Sequence, residues 1–298
     1  MNARGTAPSR DGEEDLFPPA FLRVLAAVPA AVKRLRAGPA EGRRAALGEG
    51  GRFLFRGHRT YRPGDDLRRV DWKVAARLGR LLVRQFDAER DRPTEVWIDG
   101  SGSMAPLGGR VKGARVGALA VAIGLASAGT VRLGRLREGA AELRLEAAGS
   151  HRLPAFLDAI AADPPQGRAG LARALPALVR RVPRSARLLL VSDLLSRAEP
   201  GVLHALAGRG LRGAVLHLRV PEVESPSPVG RVVLRDAETG ATKTLVLDGA
   251  AAARATTRAR EHAARWARHA AEVGLRYVPF APTTADETLL RRLVETVP

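Results

Sequence analysis

The sequence predicts an α/β fold: a mostly parallel sheet flanked by helices, with an N-terminal helical and β extension and a hairpin inserted near the C-terminus. Three observations predict it. Short aliphatic runs alternate with helix-length segments from about residue 94 onward, the order of β-α-β units. Runs such as Val96-Trp97-Ile98 and Leu188-Leu189-Leu190-Val191 are apolar at successive positions, as strands covered on both faces are. Two of them run into acid, at Asp99 and Asp193, followed by a turn. In a parallel sheet both acids then lie on the carboxyl edge, where open α/β sheets leave a crevice for ligands.

The elements follow in order. Residues 1–15 are polar and read as disordered. From Leu16 to Ala37, Phe21, Leu22, Leu25, Ala26, Val28 and Val32 recur at helical spacing, with an interruption expected at Pro29. Gly48 to Gly51 breaks the pattern. An extended segment runs from Phe53 to Tyr61, a turn from Arg62 to Asp66, a short helix from Leu67 to Arg77, and a strand through Leu81, Val83 and Phe86. After a polar linker at Arg90 to Pro93 come a strand to Ile98, an apolar helix from Val111 to Ala128, and a strand pair at Val131–Arg137 and Ala141–Glu146. Helices at His151–Ala162 and Leu171–Val182 flank the loop 163–170. A strand at Leu188–Val191, a helix at Pro200–Gly208 and a strand at Ala214–Val220 follow. Asp236 to Gly240 is the turn of a hairpin, Ala250 to Val273 a long helix, Leu275 to Phe280 the last strand and Ala285 to Val294 the closing helix. The expected organisation is therefore a start and N-terminal helix over 1–44, a β/turn/helix region over 45–92, and a main domain over 93–298 with its hairpin insertion at about 226–249.

Composition narrows the functional classes. The chain of 298 residues has no cysteine, which excludes disulfides, zinc–thiolate sites and cysteine nucleophiles. Asp11, Glu13, Glu14 and Asp15 make the start unlike a secretory signal. The longest small or apolar run, Val116 to Ala128, falls short of the ~20 residues a spanning helix needs. A cytoplasmic protein is expected, with membrane association only through partners. The formal charge of +18, almost all arginine, favours acidic partners. Aromatic residues make up only 4% and are not interleaved with basic runs, which argues against nucleic-acid binding.

The stretch Asp99-Gly100-Ser101-Gly102-Ser103 carries the chemistry. One carboxylate and two hydroxyls at alternate positions, joined across the sheet edge by Asp193, form an all-oxygen donor set. Such a set suits a hard cation, Mg²⁺ or Mn²⁺. The plainer alternative is that Asp99 and Ser101 cap the helix that follows.

These residues resemble the metal-ion-dependent adhesion motif (MIDAS) of von Willebrand factor A domains. Upstream, Tyr61-Arg62-Pro63-Gly64-Asp65-Asp66, Arg68, Asp71-Trp72 and Arg77 resemble the signature of the bacterial domain-of-unknown-function family 58. Asp236-Ala237-Glu238-Thr239-Gly240 resembles that family's D-x-E-T-G element. The resemblance implies a von Willebrand A-like sheet, Mg²⁺ or Mn²⁺ held by Asp99, Ser101, Ser103 and Asp193, and an open coordination position completed by an acidic residue of a protein ligand. It also implies a MoxR-type AAA+ ATPase as partner and no catalytic activity of the chain's own. One departure stands out: the second loop, Gln166-Gly167-Arg168-Ala169-Gly170-Leu171, lacks the threonine of a complete adhesion motif. A cation is then expected to be held more weakly, or its charge to be replaced by Arg168.

Other motifs carry less. The upstream segment reads as an arginine–carboxylate network around the Pro63-Gly64 turn, fastening a short helix, with Trp72 as a packing anchor or the segment as a partner-facing surface. His262 and His269 lie seven apart with no further histidine at ligand spacing. Gly208-Arg209-Gly210-Leu211-Arg212-Gly213 matches a dinucleotide fingerprint by letter but precedes a strand. There is no Walker A lysine, and Gly100-Ser101-Gly102 lacks the spacing of a hydrolase elbow. A metal-dependent hydrolase or phosphotransferase built on Asp99 and Asp193 remains the alternative function, beside a basic nucleic-acid-associated protein.

Overall fold

A computed structural model describes residues 15–36, 53–61, 63, 65, 70–88, 92–127, 129–168, 170–184, 186–195, 200–227 and 230–296. The expectation of a disordered start over residues 1–15 lies outside them except at Asp15, whose Oδ1 accepts from the Phe17 amide at 3.0 Å. The chain divides into two units: 39–92, and 1–38 together with 93–298.

The larger unit begins with α1 (Pro19–Arg36). This helix runs through Pro29 instead of stopping there. Proline deletes one backbone donor and crowds the preceding turn, but Phe21, Val24, Leu25, Val28 and Val32 form a continuous buried stripe. Packing against later helices outweighs the lost bond.

From Pro93 the predicted alternation is present. The elements are β3 (Thr94–Asp99), α3 (Gly109–Ala126), β4 (Thr130–Arg137), β5 (Ala140–Ala148), α4 (Leu153–Ala161), α5 (Leu171–Arg181), β6 (Arg187–Ser192), β7 (Arg212–Leu218) and the single-turn α6 (Pro221–Glu224). The hairpin β8 (Gly230–Arg235) and β9 (Thr242–Leu247), the long α7 (Gly249–Glu272), β10 (Arg276–Phe280) and α8 (Asp286–Thr296) complete it. Residues 200–206 form a 3₁₀ segment where an α-helix was expected. Its buried side chains Leu203 and Leu206 are three apart, a spacing that the eclipsed i, i+3 geometry of a 3₁₀ turn serves directly.

Six strands form one sheet in the order β10-β7-β6-β3-β4-β5. All neighbours are parallel except β5, which pairs antiparallel with β4. This is the mostly parallel sheet flanked by helices that the sequence predicts. Alternate side chains of each strand enter opposite cores. Val96, Ile98, Leu189 and Val191 face α1, α3, α4 and α8, whereas Trp97, Leu188 and Leu190 face α5, the 3₁₀ segment and α7. Gly134 lies opposite Trp97 in register, and a Cβ there would stand 2.2 Å from the indole. No helix among the described residues is long and apolar enough to cross a membrane.

The order of the strands positions the site. From β3 the chain steps outward to β4 and β5, then returns to place β6 on the other side of β3. The carboxyl ends of β3 and β6 therefore flank the switch point, where helices depart in opposite directions and leave a crevice.

The smaller unit is built on an antiparallel pair, β1 (Phe53–Thr60) and β2 (Leu82–Ala88), joined through α2 (Trp72–Leu78). Asp71 caps α2 by accepting from the Val74 amide at 3.2 Å, and Gly79 ends it at φ +64°.

Candidate metal centre

Asp99 is the last residue of β3, and the pairing Ile98↔Val191 sets Ser192 beside it with Asp193 one residue further along the same edge. Both carboxylates thus reach the switch point. Asp99 is 4% exposed, Asp193 2%, and Ser101 is fully enclosed.

The local turn follows from Asp99 itself. Its Oδ1 accepts from the Ser101 amide at 2.9 Å, bending the chain into a single 3₁₀ turn at Gly102–Met104. The hydroxyls of Ser101 and Ser103 then lie 3.0 Å apart. Neither Asp99 nor Ser101 caps α3, whose N-cap is Gly108, and the Ser101 side chain makes no capping bond to the short turn. The structure therefore brings Asp99, Ser101 and Ser103 onto one turn, with Asp193 on the adjoining strand end.

Ser192 belongs to this arrangement and is a residue that sequence reasoning missed. Its hydroxyl donates to Asp99 Oδ2 at 2.6 Å and accepts from the Leu194 amide at 2.9 Å. The signal was present in the Ser192-Asp193 pair at a strand end, but which of the two faces Asp99 depends on register.

Asp193 is the more exposed energetically. Its Oδ1 accepts from the Leu195 amide at 3.0 Å, while its buried Oδ2 has no partner in hydrogen-bond geometry, the nearby Ser103 hydroxyl only partly offsetting the burial. Burial first, and the neighbouring Asp99 carboxylate second, push its carboxyl up from 3.8 to about 6. Among the described residues no basic side chain pairs with either aspartate. Two adjacent buried carboxyls with an orphaned oxygen and two hydroxyls nearby make a cavity edge complementary to a hard cation. The residues present fit Mg²⁺ or Mn²⁺.

Two histidines hold the Asp193 loop from behind. His217, on β7, donates from Nε2 to the Asp193 carbonyl at 2.9 Å, which leaves Nδ1 to accept from the Tyr277 hydroxyl at 2.5 Å. Burial keeps this imidazole neutral, its pKa lowered to about 3. His262, on α7, lies 3.0 Å by Nε2 from the Leu194 carbonyl. Between these anchors Leu194 adopts φ +55°, a left-handed conformation costly for a branched side chain. The sequence held no local sign of these roles, because the contacts span 24 and 68 residues.

The second loop contributes backbone rather than a hydroxyl. The Gln166 amide donates to the Gly100 carbonyl at 2.8 Å, and the Gly102 amide to the Gly167 carbonyl at 2.9 Å. Arg168 is exposed, and its charge bears on Asp236 rather than on the aspartates of the site. The hairpin closes over this edge: a Cβ on Gly102 would stand 2.7 Å from the Ala237 carbonyl. In the turn, the Glu238 and Thr239 amides donate to Asp236 Oδ1 at 2.8 and 2.9 Å, which holds the Asp236 carboxyl below its usual range. Glu238 is half-buried where its turn neighbours are exposed, and its charge adds to the upward push on Asp193.

The upstream signature lies in the smaller unit. Asp65 receives both arms of Arg59, at 2.6 and 2.5 Å, and Asp71 faces His58 at 3.0 Å while capping α2. Tyr61 is half-buried; Pro63 and Arg77 are exposed. Trp72 is not a packing anchor: it is 60% exposed, since the first turn of α2 buries none of its side chains. Arg62, Gly64, Asp66 and Arg68 lie outside the described residues.

Uncharacterized proteins of Mycobacterium bovis and Mycobacterium tuberculosis are 38% identical to this chain over 200 residues, 64% of this chain and 63% of theirs, so the chain spans less than two thirds of these relatives. Among solved structures, the conserved hypothetical protein BatB from Bacteroides thetaiotaomicron aligns at 12% identity and a TM-score of 0.40, covering 69% of this chain and 98% of that one. An aerotolerance-related membrane protein from Bacteroides fragilis aligns at 15% and 0.42 with the same coverage. The profile of the family described as protein of unknown function DUF58 matches residues 57–268, most of the chain, and the chain belongs to that family.

Proposed function

We propose that this chain is a non-catalytic protein-binding adaptor whose strand-end site holds Mg²⁺ or Mn²⁺ through Asp99, Ser101, Ser103 and Asp193. An open position of the cation receives an acidic side chain of a partner protein. The observation that carries this reading is the pair of buried carboxyls at the switch point, one with an unpartnered oxygen, beside two hydroxyls. Leaving two such charges in a low-dielectric edge without a cation is expensive, whereas a divalent ion neutralises both and uses the orphaned oxygen. The missing second-loop hydroxyl makes the affinity modest, with water completing the shell. In the wider reading, the adaptor serves a MoxR-type AAA+ ATPase in protein maturation or complex assembly.

The hydrolase alternative has less support. His217, which reaches the backbone of Asp193, is committed through Nε2 to its carbonyl and stays neutral, so it offers no base to the crevice.

Calorimetric titration with Mg²⁺ tests the site. We expect one saturable equivalent, weakened by at least about tenfold in Ser101→Ala and lost in Asp99→Ala. Pull-down of a purified MoxR-type ATPase should depend on the cation and fail with Asp99→Ala. Unchanged titration and pull-down in that variant would refute the mechanism.

A further inference from the structure

Away from the strand-end site, three donor atoms meet at the surface of the larger unit. His204 lies on the 3₁₀ segment, while His269 and Glu272 stand three residues apart on the last turn of α7, hence on one face. His204 Nε2 and His269 Nδ1 each lie 2.9 Å from the same Glu272 oxygen and 3.3 Å from one another. The rings meet edge to face, their centroids 5.0 Å apart.

Hydrogen bonds alone do not close this triangle. Each nitrogen carries at most one hydrogen, so two hydrogens serve three edges and one short approach is left without one. A cation at the centre satisfies all three. Donors placed about 2.0–2.1 Å from a tetrahedral zinc ion lie roughly 3.3 Å apart, close to the spacing found here. Two imidazoles and one carboxylate suit zinc and its first-row neighbours, and are a poor set for Mg²⁺, which prefers oxygen throughout.

We infer that His204, His269 and Glu272 form a second cation site, for Zn²⁺ or a similar transition metal, with an open position facing solvent. The inference is independent of the strand-end site. Its occupant ties the 3₁₀ segment to α7, the helix whose His262 lies against the Leu194 carbonyl.

The test is calorimetric titration of the metal-stripped, tag-free full chain with zinc chloride in a large excess of Mg²⁺. One saturable equivalent is expected. It should weaken by more than about tenfold in each of His204→Gln, His269→Gln and Glu272→Gln, and stay unchanged in Asp99→Ala. Zinc at about a hundred times its dissociation constant should shift the unfolding equilibrium about a hundredfold toward the folded chain, and should not do so in His204→Gln. Cobalt substitution gives a second readout, intense visible bands that His269→Gln abolishes. The proposal is overturned if no equivalent saturates, if the first equivalent survives His204→Gln, or if it disappears in Asp99→Ala instead.

Discussion

A carboxylate drawn wholly or partly out of water needs donors or a counter-ion, and this chain meets that need in two ways. Asp99 relies on neutral donors, the Ser101 amide and the Ser192 hydroxyl. Asp163 relies on charge: Arg135, Arg137 and Arg144 all converge on it, at 3.1, 2.8 and 3.0 Å. Burial by itself would raise the Asp163 carboxyl, but the three guanidiniums, Arg135 foremost, hold it below its usual range. A depressed carboxyl contributes stability that is fully present above its unfolded pKa and is lost as pH falls through the folded value. Asp163→Asn should therefore destabilise at pH 7, and because Arg135 is buried while Asp163 is only half-buried the cost is about 1–2 kcal/mol. Urea midpoints should show the gap to wild type narrowing as pH drops below about 4, the range in which an ordinary aspartate takes up its proton. A gap independent of pH would mean that geometry, not charge, fixes this cluster. Asp99, Ser101 and Ser103 were legible in the sequence because they share one turn. Ser192, His217 and His262 were not, because only strand register and helix docking bring them to the same place.

At the scale of elements, helix α1 is held by what it buries. Phe21 is 1% exposed, its ring centroid 5.8 Å from that of Phe17 and 5.5 Å from the Arg115 guanidinium. Removing the ring leaves a cavity between α1 and α3. Phe21→Ala should cost about 3–5 kcal/mol by urea denaturation, and a loss under 1 kcal/mol would show that α1 docks only loosely. The hairpin makes the opposite kind of contact, backbone against backbone. Gly102→Ala should push the Ala237 carbonyl away and speed hydrogen exchange at the Glu238 and Thr239 amides, with little change in the core. Strands and helices were readable where one period persisted, as in the aliphatic β6 and the long α7. The pattern misled at Pro29, where tertiary burial overrode a local helix breaker, and at residues 200–206, where the buried Leu203 and Leu206, three apart, suit a 3₁₀ segment in place of the expected α-helix.

At the scale of the whole molecule, a chain with a formal charge of +18 carries a strand edge whose buried groups are acidic. The two act over different distances. Surface charge is felt across a Debye length, about 10 Å at 0.1 M salt, and so governs encounter with an acidic partner. Coordination at Asp99 and Asp193 acts at contact distance and governs how long the partner stays. Salt and chelator should therefore separate. In surface plasmon resonance against a MoxR-type ATPase, raising salt from about 50 to about 300 mM should slow association by roughly an order of magnitude while dissociation changes little. EDTA should do the reverse, speeding dissociation without slowing encounter, and Asp99→Ala should reproduce the effect of EDTA. Retention on heparin should fall with salt equally in wild type and Asp99→Ala, because that adhesion draws only on the arginine surface. Dissociation insensitive to EDTA would leave the basic surface as the whole of the recognition and remove the cation from it.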